Sequence, residues 1–415
     1  MNTITPPSHP ARRPARGRSP ILEALEARLG SASTAERAML VDQFWNSSGE
    51  RSPLIEEIPG RPDERLVTFL FRNATAHAVI ITLNRITHDL DDGRLERMPG
   101  TDIWHTTFRL GSGWRGSYAI APADADRLAE LAALEPRWAM RALRESGGID
   151  PRNPDTSHTH GGGRVSVAAL PDAPPQPWLT PPTSAARGQT SEHVSPTGRR
   201  VWVYKPPPSG NEPRPLVIAL DGNVWHRSGY AAAAVDALSA AGTIRAPYIA
   251  MPDAGPTPRR VADLSIDGGM STEVVDIIIP WLRSFLLVSS DPRDVIVSGE
   301  SLGGLTALKT VFDHPEVTST ALSQSASLWQ HDMLDRAART KASVRIFQTA
   351  GKHESGLVEH NRMLDRALIR SAHEHTYIEY DGGHDMACWR GFWAEGLRVL
   401  LGSEDTDKTR LDAMG

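Results

Sequence analysis

Asp294-Val-Ile-Val-Ser-Gly-Glu-Ser-Leu-Gly-Gly304 carries three signals in succession. Val295-Ile296-Val297 is an apolar β-branched run, as a strand buried on both faces requires. Gly299-Glu300-Ser301-Leu302-Gly303 follows in the pattern G-x-S-x-G, and Leu302 to Asp313 reads as a helix. Strand, tight turn and helix in that order are the setting of a nucleophile elbow. Such a turn admits only small residues at 299 and 303, and it lifts the Ser301 hydroxyl clear of the sheet. It also leaves the Leu302 amide to donate to an oxyanion. A bare G-x-S-x-G also arises in ordinary glycine-rich turns, so catalysis needs partners elsewhere in the chain.

A serine hydroxyl is a poor nucleophile until a base takes its proton, and the base needs an orienting group. In α/β-hydrolases these follow in the order serine, acid, histidine. His384, in Asp381-Gly382-Gly383-His384-Asp385, falls between the last strand pattern (376–380) and the last helix pattern (389–401). That loop belongs at the carboxyl edge of the sheet, where the elbow also sits. The preceding strand pattern, 344–349, ends at Ala350-Gly351-Lys352-His353-Glu354, which makes Glu354 the expected acid. Glu354 could equally be a carboxylate at a helix start. Asp381 and Asp385 are rivals, and a Ser–His dyad is a further arrangement. Leu220-Asp221-Gly222-Asn223 leaves an early strand, so the Asn223 amide is the candidate second oxyanion donor, against an ordinary Asp-Gly turn.

Working outward, 198–402 alternates strand and helix. This predicts a mostly parallel sheet with helices on both faces, an α/β-hydrolase. Thr272–Leu286 reads as a helix kinked at Pro280. Upstream the period changes. Segments 66–71, 78–83, 104–110 and 117–121 read as strands of a small all-β, sandwich-like domain within 21–150, with helical patterns at 21–45 and 124–146. Residues 151–197, rich in Pro, Gly, Ser and Thr, read as a linker, and 403–415 as a polar tail. Residues 1–20 carry Arg12, Arg13, Arg16 and Arg18 among prolines and no apolar core, which suits a disordered basic tail and not a secretory signal.

At 415 residues two domains are expected, and a net charge of −5 gives no drive toward nucleic acid. The single cysteine, Cys388, excludes an internal disulfide. No run of about 18 apolar residues suggests a membrane span. His158 and His160 lack further ligands, so no metal site is expected.

Several stretches together resemble the enterochelin (enterobactin) esterases, an esterase-D-like branch of the α/β-hydrolases. They include Leu220-Asp-Gly-Asn-Val-Trp225, Gly299-Glu-Ser-Leu-Gly-Gly-Leu305, Leu322-Ser-Gln-Ser-Ala-Ser-Leu-Trp329 and Asp381-Gly-Gly-His-Asp385 with Trp389-Arg390. In the first part of the chain they include Gly100-Thr-Asp-Ile-Trp104, Trp114-Arg-Gly-Ser-Tyr118, Asp150-Pro-Arg-Asn-Pro154 and Pro175-Gln-Pro-Trp178. The match runs in order from about residue 40 to 402. The resemblance implies a cytoplasmic serine esterase cutting the ester bonds of an imported ferric catecholate siderophore, with the small-molecule ferric siderophore as its partner. Iron arrives with the substrate, and no cofactor is implied. It assigns Ser301, His384 and Glu354 to catalysis and the Leu302 and Asn223 amides to the oxyanion. For the anionic aromatic ligand it points to Arg260, Arg115 and Trp225. Each has a plainer reading, as a solvated loop charge, a tie within the β-domain and a core tryptophan.

The chain departs from the family's pattern where a pocket is expected: Asn223 replaces a usual Gln, Asp263-Leu264 precedes Ser265–Gly269, and Leu328-Trp329-Gln330 follows Ser327. The rivals are therefore a same-fold esterase for another ester or thioester, and a non-catalytic siderophore-binding protein, which would need none of the triad. The sequence does not fix the oligomeric state.

Overall fold

The computed structural model describes residues 15–159, 161–208 and 210–402. They form two compact units. One holds the described residues up to Pro174 together with Asp381–Cys388. The other holds Pro175–Tyr380 and the described residues from Trp389 onward.

The N-terminal unit contains strands β1 (Leu54–Ile58), β2 (Arg61–Arg72), β3 (Ala78–Leu83), β4 (Glu96–Arg97), β5 (Ile103–Gly111), β6 (Arg115–Ala123), β7 (Thr156–His158) and β8 (Arg164–Ala169). They make two antiparallel sheets, ordered β1-β2-β5-β4 and β3-β6-β8-β7. Val67 and Phe69 of the first meet Val79, Ile81 and Tyr118 of the second in one core with Trp104, Phe108 and Trp114. The outer faces are covered by the helices expected at 21–45 and 124–146. Leu70 and Ile103 pack under helices Pro20–Ser31 and Thr34–Trp45, through Leu22, Leu25, Leu29 and Phe44. Ile80 and Ala121 pack under Ala125–Ala132 and Pro136–Ser146, through Leu131, Ala139, Met140 and Leu143. Burial on both faces is why β3 is almost wholly apolar, with Thr82 its one polar residue, and shows no alternation. The helix starts are conventional. Ser19 caps the first through the Leu22 amide, and Ser33 with Glu36 forms a capping box on the second.

Two expected boundaries move. Residues 15–20 do not belong to a disordered tail: the Gly17 amide donates to Thr107 O at 3.0 Å, the Arg109 amide donates to Ala15 O at 2.8 Å, and Pro20 opens a helix. They extend the sheet beside β5 where the two-residue β4 leaves its edge open. Arg12, Arg13 and the tail 403–415 lie outside the described residues, as does His160. The expected linker is too long at both ends. Thr156–His158 and Arg164–Ala169 are strands of the N-terminal sheet, and Gln189–Val194 is a strand of the other unit.

In the C-terminal unit, β9 (Gln189–Val194), β10 (Arg200–Lys205), β11 (Leu216–Ala219), β12 (Tyr248–Pro252), β13 (Val295–Glu300), β14 (Thr320–Gln324), β15 (Arg345–Gly351) and β16 (Glu374–Tyr380) form one sheet. Its order is β16-β15-β14-β13-β11-β12-β10-β9. Strands β11 to β16 run parallel, and β10 and β9 add antiparallel to the β12 edge. Ile218, Val297, Ala321 and Ile346 are paired across neighbouring strands and share one face, which packs on Val274, Ile278 and Leu282 at one end and on Leu308, Val311 and Leu364 at the other. The expected kink before Pro280 takes the form of a wide π turn at Val274–Ile278, between short α segments at Met270–Glu273 and Ile279–Arg283. Proline has no N–H to give to the preceding turn, and a local widening accommodates that loss. Chain order reverses at β11, with β12 on one side and β13 on the other. In open α/β sheets the crevice at such a switch point, past the carboxyl ends of the strands, receives ligands.

Candidate active site

Ser301 follows β13 at that switch point and precedes helix Leu302–Asp313, with φ +60° and ψ −117°. A non-glycine residue is held there only by over-determined surroundings. The Ser301 amide donates to Gln324 O at 2.9 Å, and its carbonyl accepts from Ser327 N at 2.9 Å and from Leu305 N at 3.1 Å. A Cβ at Gly299 would stand 2.4–2.8 Å from the Gly303 backbone, so the glycine at 299 is obligatory. The expectation for 303 is corrected. A Cβ there would meet nothing nearer than Leu220 Cβ at 3.5 Å, so the crowding at the elbow falls on 299 and on Gly304. The Ser301 hydroxyl lies 3.3 Å from the Ser327 hydroxyl.

The two proposed oxyanion donors each stand in the first turn of a helix, where N–H groups lack an intrahelical acceptor. Leu302 opens Leu302–Asp313, and Asn223 is the second residue of Gly222–Ser228. Their strands are neighbours, with Ala219 paired to Ser298. The nearest groups to a Gly303 Cβ would be Leu220 and Asp221, which brings the two turns side by side. Gly222 is fixed by the Met251 carbonyl, 2.2–2.3 Å from where its Cβ would stand.

Glu354 lies in the turn after β15, three residues before helix Leu357–Leu368, and is 1% exposed. Its Oε1 accepts from Ser325 Oγ at 2.6 Å, the Gly351 amide at 2.9 Å and the Tyr380 hydroxyl at 3.2 Å. Ser325, at φ +48°, also accepts from Trp389 Nε1 at 2.9 Å. A buried carboxylate is tolerable only with such donors. Ser325, Tyr380 and Trp389 were not among the sequence candidates. The Ser-Gln-Ser run and Trp389 lie in stretches that carry the family resemblance, but nothing in them shows that they converge on a carboxylate.

Beneath the elbow lies a second buried acid. Glu300 is fully buried and accepts from Trp225 Nε1 at 3.1 Å. Burial first, and the Asp221 carboxylate second, push its carboxyl well above the usual range, against the pull of Arg260 and Trp225. Asp221, left-handed at φ +57°, binds Arg260 through two bonds of 2.5 and 2.6 Å.

These contacts bear on the three expected ligand residues. Trp225 is 0% exposed and packs on Trp393 at 5.1 Å, so it is a core residue and offers no face to a ligand. Arg260 is no solvated loop charge, because its fork is engaged by buried Asp221. Arg115, in the N-terminal unit, is a structural tie: it is 9% exposed and donates to Pro174 O at 2.6 Å, while its backbone accepts from Cys388 Sγ and donates to Asp381 O.

His384 follows β16 and lies in the Asp381–Cys388 segment, which packs with the N-terminal unit. Its carbonyl accepts from Asn84 Nδ2 at 3.0 Å. The rival acids are otherwise engaged. Asp385 accepts from the Ala387 and Ser117 amides, and Asp381 packs against Gly111. Among the described residues no group of His, Cys, Asp and Glu is arranged to hold a metal ion, and no helix is long and apolar enough to cross a membrane.

Known proteins resemble the chain along most of its length. Residues 66–179 match the family model for the N-terminal part of enterochelin esterase, and 193–398 match the putative esterase model. An iron(III) enterobactin esterase of Dickeya dadantii is 31% identical over 395 residues, covering 83% of this chain and 90% of that protein. An iron(III) salmochelin esterase of Escherichia coli is 29% identical over 391 residues, covering 86% and 93%. The enterobactin esterase of Shigella flexneri, solved in the presence of enterobactin, superposes with a TM-score of 0.73 at 27% identity, over 86% of this chain and 97% of that one.

Proposed function

Because the chain belongs to the enterochelin esterase family, we propose that it is a serine esterase that hydrolyses the ester bonds of a ferric catecholate siderophore of the enterobactin or salmochelin kind. His384 takes the Ser301 proton as Oγ attacks the ester carbonyl, and Glu354 orients the imidazole. The amides of Leu302 and Asn223 hold the oxyanion. His384 then protonates the departing alkoxide, and a water activated by the same histidine cleaves the acyl-serine. Iron is cargo of the substrate and takes no part as a resident cofactor. The reaction belongs in the cytoplasm, where an imported ferric complex would be opened.

The observation that carries the reading is the placement along one parallel sheet. Ser301 follows β13 with strained elbow torsions, Glu354 follows β15 under three donors, and His384 follows β16. The test is product analysis by liquid chromatography and mass spectrometry, with ferric and iron-free enterobactin and with the unmutated and Ser301→Ala proteins. Linear trimer, dimer or monomer formed only by the unmutated protein is expected. Cleavage of a simple aryl ester but of neither siderophore form would move the substrate elsewhere.

A further inference from the structure

Two arginines of the N-terminal unit flank the His384 loop, and among the described residues neither is hydrogen-bonded or closely ion-paired to a carboxylate, although Asp385 acts on Arg144 at longer range. Arg85 follows β3 in a left-handed conformation, φ +58°, which an arginine rarely adopts. Its stem is pressed on the loop: a Cβ at Gly383 would stand 2.7 Å from Arg85 Cγ and 2.8 Å from its Cβ. The neighbouring Asn84 holds the His384 carbonyl. Arg144 ends the turn after Leu143 on helix Pro136–Ser146 and interacts electrostatically with both Arg85 and Asp385. Arg85 is exposed and Arg144 half-buried. Among the described residues neither guanidinium makes a hydrogen bond or a close ion pair. The nearby carboxylates are spent on backbone amides: Asp385 on Ser117 and Ala387, Asp89 on Asp92, and Asp92 on His88.

We propose that Arg85 and Arg144 form a cationic recess beside His384 that binds the anionic ferric catecholate and distinguishes it from the iron-free ligand. This rests on the substrate class proposed above. Catechols deprotonate on binding Fe(III), so the complex is a polyanion, while the free ligand is neutral near pH 7. Two adjacent guanidiniums repel each other, and an anion between them relieves that repulsion and supplies acceptors for their forks. Arg144 shows the strain of this arrangement, since burial lowers its affinity for its proton, with Arg85 adding to the effect and Asp385 opposing it. A cation so placed gains more from an arriving anion than a solvated one does.

The experiment is a titration of Ser301→Ala protein with ferric enterobactin, followed by quenching of tryptophan fluorescence. It is repeated with Arg85→Gln, Arg144→Gln, both together, and Arg137→Gln as an exposed control on the same helix. Thermal melts report whether each variant is folded. Loss of each recess arginine should raise Kd for the ferric complex about tenfold, as a charge-assisted contact is worth. Arg85→Lys should recover part of the loss, Kd for the iron-free ligand should change less than twofold, and Arg137→Gln should change neither. The proposal is overturned by an unchanged ferric Kd in the folded double variant, by equal weakening for both ligand forms, or by failure of Ser301→Ala to bind the ferric complex. Hydrolysis by the unmutated protein is scored separately. Arginine-dependent binding without hydrolysis would sink the esterase reading and keep the recess. Hydrolysis with an arginine-independent Kd would do the reverse.

Discussion

Ser325→Ala tests whether the network around Glu354 sets the rate. The substitution removes an oxygen that donates to Glu354 Oε1 at 2.6 Å and accepts from Trp389 Nε1 at 2.9 Å. Alanine is no worse than serine at φ +48°, so the backbone cost is unchanged. Two losses follow. The Trp389 N–H loses this acceptor inside the core, which costs about 1–3 kcal/mol of stability. At about 2–4 °C per kcal/mol for a domain of this size, the melting temperature should fall measurably. Glu354 loses its shortest donor but keeps the Gly351 amide and the Tyr380 hydroxyl. A hydrogen bond to a charged group is worth about 1.5–3 kcal/mol, and with two donors retained the lower end applies. About 1.5 kcal/mol in the transition state is roughly tenfold in kcat. KM should hold, because no ester-binding group is touched. The assay is steady-state hydrolysis of a neutral aryl ester beside a thermal melt. A normal kcat with a lowered melting temperature would refute the reasoning: Ser325 would then serve only the core, and the position of Glu354 would not limit the rate.

Three further outcomes follow from buried groups. In the unfolded chain Glu300 ionises near pH 4.3, whereas in the fold burial and Asp221 keep its proton on well above that. The native state thus holds more protons, and stability falls as pH rises from that point toward the folded pKa. Glu300→Gln should gain melting temperature over the parent at pH 8–9 and gain little at pH 5, and parallel melting curves across that range would sink the assignment. Gly299→Ala forces a Cβ to 2.4 Å from the Gly303 backbone and should abolish aryl-ester cleavage or folding, whereas Gly303→Ala should stay soluble and within about tenfold of parent activity; equal damage at both would show that the contacts are misjudged. Arg260→Ala leaves buried Asp221 and Glu300 without their cation and should cost about 3 kcal/mol in urea unfolding, a value that a loss under about 1 kcal/mol would contradict.

The sheet was legible because its strands are buried on both faces. Val295-Ile296-Val297 and Leu216–Ala219 are short apolar runs bounded by turn residues, and nothing competes with the strand reading. Edges were harder. Gln189–Val194 is exposed along most of its length, so it carries no apolar signal and was absorbed into the linker. Thr156–His158 is a three-residue strand among prolines and glycines. Residues 15–20 pair through backbone groups and through the Arg16 side chain, which donates to Asp92 O and lies over Phe108, and their arginines suggest disorder because composition says nothing about an open edge beside β5. Helices that cover a sheet's outer face betray themselves only by an apolar stripe. That stripe marks helices at 21–45 and 124–146, but which sheet each pair covers is not written in it.

The site divides along the same line. Ser301, His384 and Glu354 could be named because each needs only chain order and a strand end, and both are written in the sequence. Arg260 and Trp225 were given to the ligand because their chemistry suits an aromatic anion. Register decides otherwise. On β13, Ser298 and Glu300 point to the same face, two residues apart. Both are fully buried, so each requires a donor. Trp393 Nε1 serves Ser298 at 2.8 Å, and Trp225 Nε1 serves Glu300 at 3.1 Å. The two indoles pack against each other at a tilt beneath the elbow because a polar strand end has to be satisfied there, which leaves neither for a substrate. Arg260 is drawn in by the same requirement, since Asp221 is 2% exposed at the start of the oxyanion turn and stands beside a second carboxyl. A sequence states that a carboxylate sits next to the nucleophile. Only the register of its strand shows which tryptophan and which arginine it has already claimed, and hence that positive charge for an anionic ligand has to be sought beside His384, at Arg85 and Arg144.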